Sequence, residues 1–364
     1  MNNLQDWPEP IVRVQSLSES CLGKIPDRYI KPPIQRPTSS SSSASAASDI
    51  DDVNIPIIDL GGLYGNNDTL RASTLEEISM ACRDWGFFQV VNHGIKPELL
   101  DRAREIWREF FYLPMEVKQK YANSPKTYEG YGSRLGVQKG AILDWSDYYF
   151  LHYLPLPLKD FNKWPSLPSD CREVIDEYGK QVVELCGRLM KVMSINLGLG
   201  ELRLQDEFGG ENIGACLRVN FYPKCPQPEL TLGLSSHSDP GGMTLLLADD
   251  NVAGLQVRRG NDWITVKPAP HAFIVNIGDQ IQVLSSAIYK SVEHRVIVNS
   301  AKQRVSLAFF YNPKSDIPLE PLKELVTPET PSLYPAMTFD EYRLFIRTRG
   351  PQGKAQVESL KSPV

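Results

Sequence analysis

The residues best suited to do chemistry lie in one short stretch, Ser236-His237-Ser238-Asp239-Pro240-Gly241-Gly242, and at two later places, His294 and Arg304-Val305-Ser306. His237 and Asp239 are two residues apart, and in an extended strand residues i and i+2 point to the same face. An imidazole and a carboxylate are therefore presented side by side. A second imidazole, His294, lies in another apolar, strand-like region with Val292, Val296 and Val298. Two imidazoles and one carboxylate occupy one face of a metal ion and leave the opposite face open. That donor set suits non-haem Fe(II), which needs vacant positions for O2 and a co-substrate. Taken alone, His-x-Asp also fits a surface strand with two polar side chains. The Arg-x-Ser pair beyond His294 adds a second signal. Arg304, Ser306, Ala308 and Phe310 share one strand face, opposite Val305, Leu307 and Phe309. An arginine and a serine on an otherwise apolar inward face suit a buried carboxylate clamp, because the planar guanidinium binds a carboxylate bidentately. A salt bridge at a strand end is the competing reading of Arg304.

These motifs, with Asn220-Phe221-Tyr222-Pro223 upstream and Trp85-Gly86-Phe87-Phe88-Gln89-Val90-Val91-Asn92-His93-Gly94 in the N-terminal half, resemble those of the plant 2-oxoglutarate- and Fe(II)-dependent dioxygenases. The resemblance runs from about Ile55 to about Phe345. Within that family the chain is most similar to the jasmonate-induced oxygenases, which hydroxylate jasmonic acid. The resemblance implies Fe(II) held by His237, Asp239 and His294, with 2-oxoglutarate and O2 as co-substrates and ascorbate as reductant. It implies that Arg304 and Ser306 anchor the distal carboxylate of 2-oxoglutarate. Tyr222 adds a phenol at the same end, and Asn220 shares its face near the metal; for both, strand packing is the alternative. No catalytic residue beyond the metal ligands is expected. The implied reaction couples oxidative decarboxylation of 2-oxoglutarate to hydroxylation of an unactivated C–H.

The organic substrate is less legible. Arg218, Asn220 and Tyr222 alternate onto one strand face, and an arginine pointing into a barrel is costly unless paired. Arg343 and Arg347 lie one turn apart on a C-terminal helix, where a solvated charged face is an equal reading. Together the three arginines would form a cationic pocket for a carboxylate, which fits jasmonic acid. Phe150, Phe310 and Phe339 would bound its apolar remainder, or simply pack in the core. The expected outcome is conversion of jasmonic acid to hydroxyjasmonic acid, lowering the active hormone in plant defence. The alternatives are the same chemistry on a flavonoid or gibberellin, and, in a different class, a non-catalytic cupin-like ligand-binding protein.

Composition sets bounds. The chain has 364 residues, 41% hydrophobic and 23% charged, ample for a sizeable core. Its formal net charge of −5 offers no basic field for nucleic acid. No apolar run approaches membrane-spanning length. Met1–Asp6 lacks both the basic and the apolar part of a secretory signal, so a cytoplasmic location is expected, with the nucleus as a further compartment. A monomer with a small-molecule carboxylate as its only partner is expected. The six cysteines (Cys21, Cys82, Cys171, Cys186, Cys216, Cys225) sit at irregular spacings with no CxxC pair and read as reduced core thiols; Cys216, near Arg218, is the one that could line the site. His93, His152 and His271 read as structural.

Four regions follow along the chain. Residues 1–52 form an N-terminal extension whose Ser/Ala-rich part, Pro37 to Ser48, is a flexible linker. Residues 53–211 form a mostly helical region. It opens with an edge strand near Pro56 and carries helices over Thr74–Asp84, Pro97–Phe111 and Ser169–Asn196. The Trp85–Val91 and Asp144–Leu154 stretches read as strands, separated by a glycine-punctuated loop (Gly130, Gly132, Gly136, Gly140). Residues 212–313 change to short strands and turns, including Ile288–Val292, a pattern that suggests a jelly roll or barrel. Residues 314–364 contain a helix opened by the capping box Thr338-Phe339-Asp340-Glu341. The fold class expected is α+β. The resemblance specifies a double-stranded β-helix (jelly-roll) core flanked by helices, with the C-terminal helix as a lid across its mouth.

Overall fold

In the computed structural model the apolar stripe of the long helix does what its spacing predicts. The helix forms over Cys171–Asn196, and Ile175, Tyr178, Val182, Leu185, Leu189 and Val192 are all buried on its inward side. Pro97 opens the helix Pro97–Tyr112, whose Leu100, Ala103, Trp107 and Phe110 are buried. Both helices pack on the back of an eight-stranded sheet through Leu217, Val219, Leu245, Val305, Leu307 and Phe309. The structure describes residues 6–20, 23–37, 53–134, 136, 138–328, 331–349 and 353–361, with the side chains of residues 347–349 left out. Cys21 and most of the Pro37 to Ser48 linker lie outside the described residues.

The large sheet has the strand order Ile57–Asp59, Phe87–Val91, Phe273–Ile277, Met243–Leu247, Arg304–Asn312, Gly214–Tyr222, Asp147–Leu154, Gly130–Gly132. Apart from its first pair it is antiparallel. A smaller antiparallel sheet has the order Leu234–His237, His294–Val296, Leu255–Arg259, Asp262–Thr265. Along the large sheet successive side chains go to opposite faces. One set meets the helices, and the other meets the small sheet across a cavity. This is the two-sheet jelly-roll core with flanking helices expected of an α+β chain. Among the described residues no helix is long and apolar enough to cross a membrane.

Three local expectations need correcting. Ile288–Val292 is not a strand. A short helix, Asp279–Leu284, precedes it, and that helix's own side chains take its backbone donors: Ser291 N–H donates to Gln282 Oε1 (2.9 Å), and Tyr289 N–H to the Ser285 hydroxyl just past its end (3.1 Å). Gly130–Gly132, expected as loop, is a strand paired with Tyr148–Phe150; a Cβ on Gly132 would lie 2.5 Å from the Tyr148 ring, so the absence of a side chain lets the two strands approach. The helix read over Thr74–Asp84 begins at Asp68, capped by Asn67, and its last turn, Ala81–Trp85, widens to a π-helix. Gly86 ends it with φ +63°, where a Cβ would sit 2.2 Å from the Lys290 carbonyl oxygen.

Candidate active site

His237 and His294 meet because they are register partners. Strand Leu234–His237 runs antiparallel to His294–Val296 with His294 directly opposite His237, and the rings lie 4.3 Å apart. Asp239 lies two residues beyond the strand end, not on the strand itself, so its position needs a different support. The Pro240-Gly241-Gly242 turn packs on the start of the Asp279–Leu284 helix: Asp279 N–H donates to the Asp239 carbonyl (2.8 Å) and Gly278 N–H to the Gly242 carbonyl (2.6 Å). A Cβ on Gly278 would fall 2.3 Å from the Gly241 carbonyl oxygen, so the two segments close only over glycine.

The three donors converge. Asp239 Oδ1 is 3.5 Å from His237 Nε2 and 3.7 Å from His294 Nε2, and these ligand atoms form one group able to hold a metal ion. Bonds of roughly 2.0–2.2 Å at right angles place ligand atoms about 3 Å apart, so a small inward closure seats a first-row ion. Each imidazole turns its other nitrogen to a carbonyl: His237 Nδ1 to Ser235 O (2.8 Å) and His294 Nδ1 to Val292 O (3.2 Å). Nδ1–H donating to those carbonyls leaves the Nε2 lone pairs facing the cavity. The second carboxylate oxygen, Asp239 Oδ2, accepts from Thr244 Oγ1 (2.5 Å) and Asn276 Nδ2 (2.8 Å). Burial pushes His294 down to about 4, keeping it in the neutral form a metal requires. Burial would raise Asp239, but His294, His237 and Thr244 outweigh it and hold its carboxyl below the usual carboxylate range.

The facing wall is built from strands Gly214–Tyr222 and Arg304–Asn312, with Arg304 opposite Tyr222, Ser306 opposite Asn220, Ala308 opposite Arg218 and Phe310 opposite Cys216. Every second residue from Cys216 to Tyr222 and from Arg304 to Asn312 lines a cavity of about 330 Å³. Arg304, only 4% exposed, donates from Nη1 to Ser306 Oγ (3.1 Å) and stands 5.3 Å from the Tyr222 ring. Its buried Nε–H has no partner among the described residues, and burial lowers its pKa. Four residues along the strand, about 13 Å away, is the row of Arg218, which donates from Nε to Asn220 Oδ1 (2.7 Å) and lies 4.2 Å over the Tyr148 ring. Asn220 thus holds Arg218 in this structure. Phe150 pairs with Arg218 from the next strand. Cys216 lines the cavity and is not a pure core residue; burial pushes its thiol up to about 12, so it stays protonated.

The C-terminal helix, Phe339–Arg349, closes one side. Its capping box forms: Thr338 N–H donates to Glu341 Oε2 (2.8 Å) and Glu341 N–H to Thr338 Oγ1 (3.2 Å). Tyr342 anchors it by donating to Asp279 (2.6 Å). Phe339, Arg343 and Ile346 face the cavity together with Phe310. Arg343 stacks 4.8 Å from the Phe339 ring, bonds Ser315 (3.1 Å) and Asp340, and keeps a buried Nε–H without a partner among the described residues. It is therefore not a free cation, although its side chain remains about a third exposed. The Arg347 side chain lies outside the described residues. His93 and His271 are structural, bonding the His271 carbonyl and Asp101 respectively; His152 packs on Phe150.

Sequence reading missed Thr244, Asn276, Tyr148, Asp144 and Ser235, all on the cavity wall. Thr244 and Asn276 did carry a signal. Each is the lone polar residue of an otherwise apolar strand, Met243–Leu247 and Phe273–Ile277, and a polar group committed to a core strand needs a partner.

The profile of the 2OG-Fe(II) oxygenase superfamily matches residues 213–313, and that of the non-haem dioxygenase in morphine synthesis N-terminal region matches residues 55–167. The chain is 68% identical over 361 residues to Jasmonate-induced oxygenase 2 of Arabidopsis thaliana, covering 99% of this chain and 96% of that one. It is 39% identical over 334 residues to Leucoanthocyanidin dioxygenase of Malus domestica, covering 91% and 93%. A crystal structure described as JOX2 in complex with 2OG, Fe, and JA superposes with a TM-score of 0.90 at 69% identity, covering 98% of this chain and all of that one. With the whole chain aligned to such relatives, and the donor set and Arg-x-Ser on facing walls of one cavity, the chain belongs to the 2OG-Fe(II) oxygenase superfamily.

Proposed function

We propose that this chain hydroxylates jasmonic acid, using Fe(II), 2-oxoglutarate and O2, with ascorbate keeping the iron reduced. The observation that carries the reading is that one cavity holds three convergent metal donors and two buried guanidinium Nε–H groups without partners, Arg304 and Arg343. A buried donor left unpaired is costly, and these two belong to residues that line the cavity, so an acceptor arriving with a ligand would satisfy them. Two anionic ends fit: the distal carboxylate of 2-oxoglutarate at Arg304, Ser306 and Tyr222, and the carboxylate of the organic substrate at Arg218 and Arg343. Arg218 lies two residues from Cys216 on one strand, and Arg343 lines the same cavity, which supports a shared cationic end.

His237, Asp239 and His294 are the residues that would hold the iron, with Thr244 and Asn276 fixing the carboxylate. When bound, Fe(II) couples oxidative decarboxylation of 2-oxoglutarate, giving succinate and CO2, to transfer of one oxygen atom from O2 into a C–H bond. The chain's own residues do the positioning. Arg304 and Ser306 set the register of the co-substrate through its far end. The arginine end sets how deeply the substrate reaches, so that one C–H of its apolar part faces the metal. Phe150, Phe310 and Phe339 wall off the space between and exclude water. The similarity to a structure described as holding 2OG, Fe and JA supports this reading.

A substrate panel tests it. Jasmonic acid, its methyl ester, a gibberellin and a flavanone are each incubated with Fe(II), ascorbate and 2-oxoglutarate, and products are read by mass spectrometry. Jasmonic acid gaining one oxygen, with the methyl ester turned over poorly, is expected. Turnover of the flavanone alone contradicts the substrate assignment while leaving the chemistry in place.

A further inference from the structure

Both family profiles begin downstream of residue 54, yet a side chain from further upstream reaches the cavity wall. Lys31 is 2% exposed. Its Nζ lies 2.8 Å from Asp144 Oδ1 and donates to Ser235 Oγ at 3.0 Å, and Ser235 Oγ donates to Asp144 Oδ1 at 2.6 Å. Its backbone N–H is pinned to the Leu230 carbonyl (2.9 Å). Asp144 and Ser235 both line the cavity, and the Ser235 carbonyl receives His237 Nδ1.

A buried ion pair contributes little net stability, because desolvation of both charges offsets their attraction. Its consequence here is electrostatic. Asp144 is a partly buried carboxylate, its side chain 15% exposed, lining the same cavity as Tyr222, and its charge acts on that phenol alongside those of Arg304 and Arg218. Alone, it would offer the guanidiniums an internal anion and repel an incoming dianion. The lysine offsets that field while Asp144 Oδ1 still accepts from the Ser235 hydroxyl.

We propose that Lys31 is a positioning residue for the co-substrate site: it neutralises Asp144, so that the carboxylate that anchors Ser235 does not compete with 2-oxoglutarate for the cavity's arginines. The inference rests on the 2-oxoglutarate reading of Arg304. It makes an N-terminal segment that neither profile covers part of the binding machinery, acting through charge and not through contact with a ligand.

The test is a double-mutant cycle on the full chain loaded with Mn(II), which allows binding without turnover, with 2-oxoglutarate titrated calorimetrically. Lys31→Met is expected to weaken 2-oxoglutarate about tenfold, the effect of one unpaired buried charge acting across roughly a nanometre at an effective dielectric of about 20. The double variant Lys31→Met/Asp144→Asn, in which Oδ1 still accepts from Ser235 but neither group carries a charge, is expected to bind 2-oxoglutarate within about twofold of wild type. A double variant as weak as Lys31→Met overturns the proposal, because Lys31 would then act only by shaping the wall. If Lys31→Met alone does not fold, Asp144→Asn against the double variant decides: Asp144→Asn, which leaves the lysine's charge uncompensated, binding about tenfold tighter supports the proposal, and equal affinities overturn it. A wild-type protein that binds no 2-oxoglutarate removes the underlying reading and this proposal with it, whereas tight wild-type binding with an unaffected Lys31→Met removes this proposal alone.

Discussion

Arg304 offers the sharpest separation of binding from stability. Its guanidinium is buried, it donates to the neutral Ser306 hydroxyl, and its buried Nε–H has no partner among the described residues. A hydrogen bond to a charged group contributes about 1.5–3 kcal/mol. Arg304→Lys keeps the charge but loses one arm of the fork, so affinity for 2-oxoglutarate should fall roughly ten- to a hundredfold. Arg304→Met loses both arms and should weaken it by about 10²–10⁴-fold. Stability of the ligand-free protein should move the other way. Removing a buried charge without a carboxylate partner and leaving a side chain of similar volume is neutral or stabilising, by up to about 4 kcal/mol. Calorimetric titration with 2-oxoglutarate in the presence of Mn(II), beside thermal unfolding of the ligand-free variants, measures both. The expected pattern is a higher or equal melting temperature without ligand and a lost ligand-induced rise. An unchanged 2-oxoglutarate affinity in Arg304→Met would refute the clamp, and a large loss of ligand-free stability would refute the claim that its charge is unpaired.

Other consequences follow from the same geometry. Thr244→Val and Asn276→Leu each remove one of the two donors to Asp239 Oδ2 and should lower metal affinity about 10–100-fold, read by competition with a chelating dye, with secondary structure unchanged by circular dichroism. Tyr342→Phe removes one of three hydroxyls that donate to the buried Asp279. It should cost about 1–3 kcal/mol and loosen the lid helix in hydrogen exchange; an unchanged exchange rate there would contradict the anchoring role. Glu9 bonds Arg134, Arg28 and the Gly140 N–H, and the Arg134 and Arg28 guanidiniums hold its carboxyl down to about 2. A depressed carboxylate contributes stability that is present above the unfolded value near 4.5 and lost as pH falls toward 2. Glu9→Gln should therefore flatten the acid limb of the stability profile between those values and leave the neutral region's slope alone, as seen by thermal unfolding across pH.

How much of this was legible before the structure depended on how local each feature is. Arg304-x-Ser306 and Arg218-x-Asn220-x-Tyr222 were read correctly onto one wall, because period-two alternation is a property of the strand itself. That His294 sits opposite His237 was not readable, since register is fixed by pairing between distant segments. The spacing puts Asp239 on the strand, but its position comes from glycine contacts with the helix that begins at Asp279, which no local pattern encodes. The strand expected at Ile288–Val292 failed because side-chain acceptors of the preceding helix capture its backbone donors, a tertiary outcome that overrides β-propensity. Lys31 carried no signal at all in the sequence, since its partners, Asp144 and Ser235, lie more than a hundred residues away.

The central claim is that one cavity couples 2-oxoglutarate decarboxylation to oxygen insertion into jasmonic acid. Its most direct test is the ratio of succinate to oxygenated jasmonic acid formed by the wild-type chain with Fe(II), ascorbate and O2, both quantified by mass spectrometry in one reaction. A ratio near one, with both products abolished in His237→Ala, is the predicted result. Succinate formed at the same rate with and without jasmonic acid, and no oxygenated product, would contradict it.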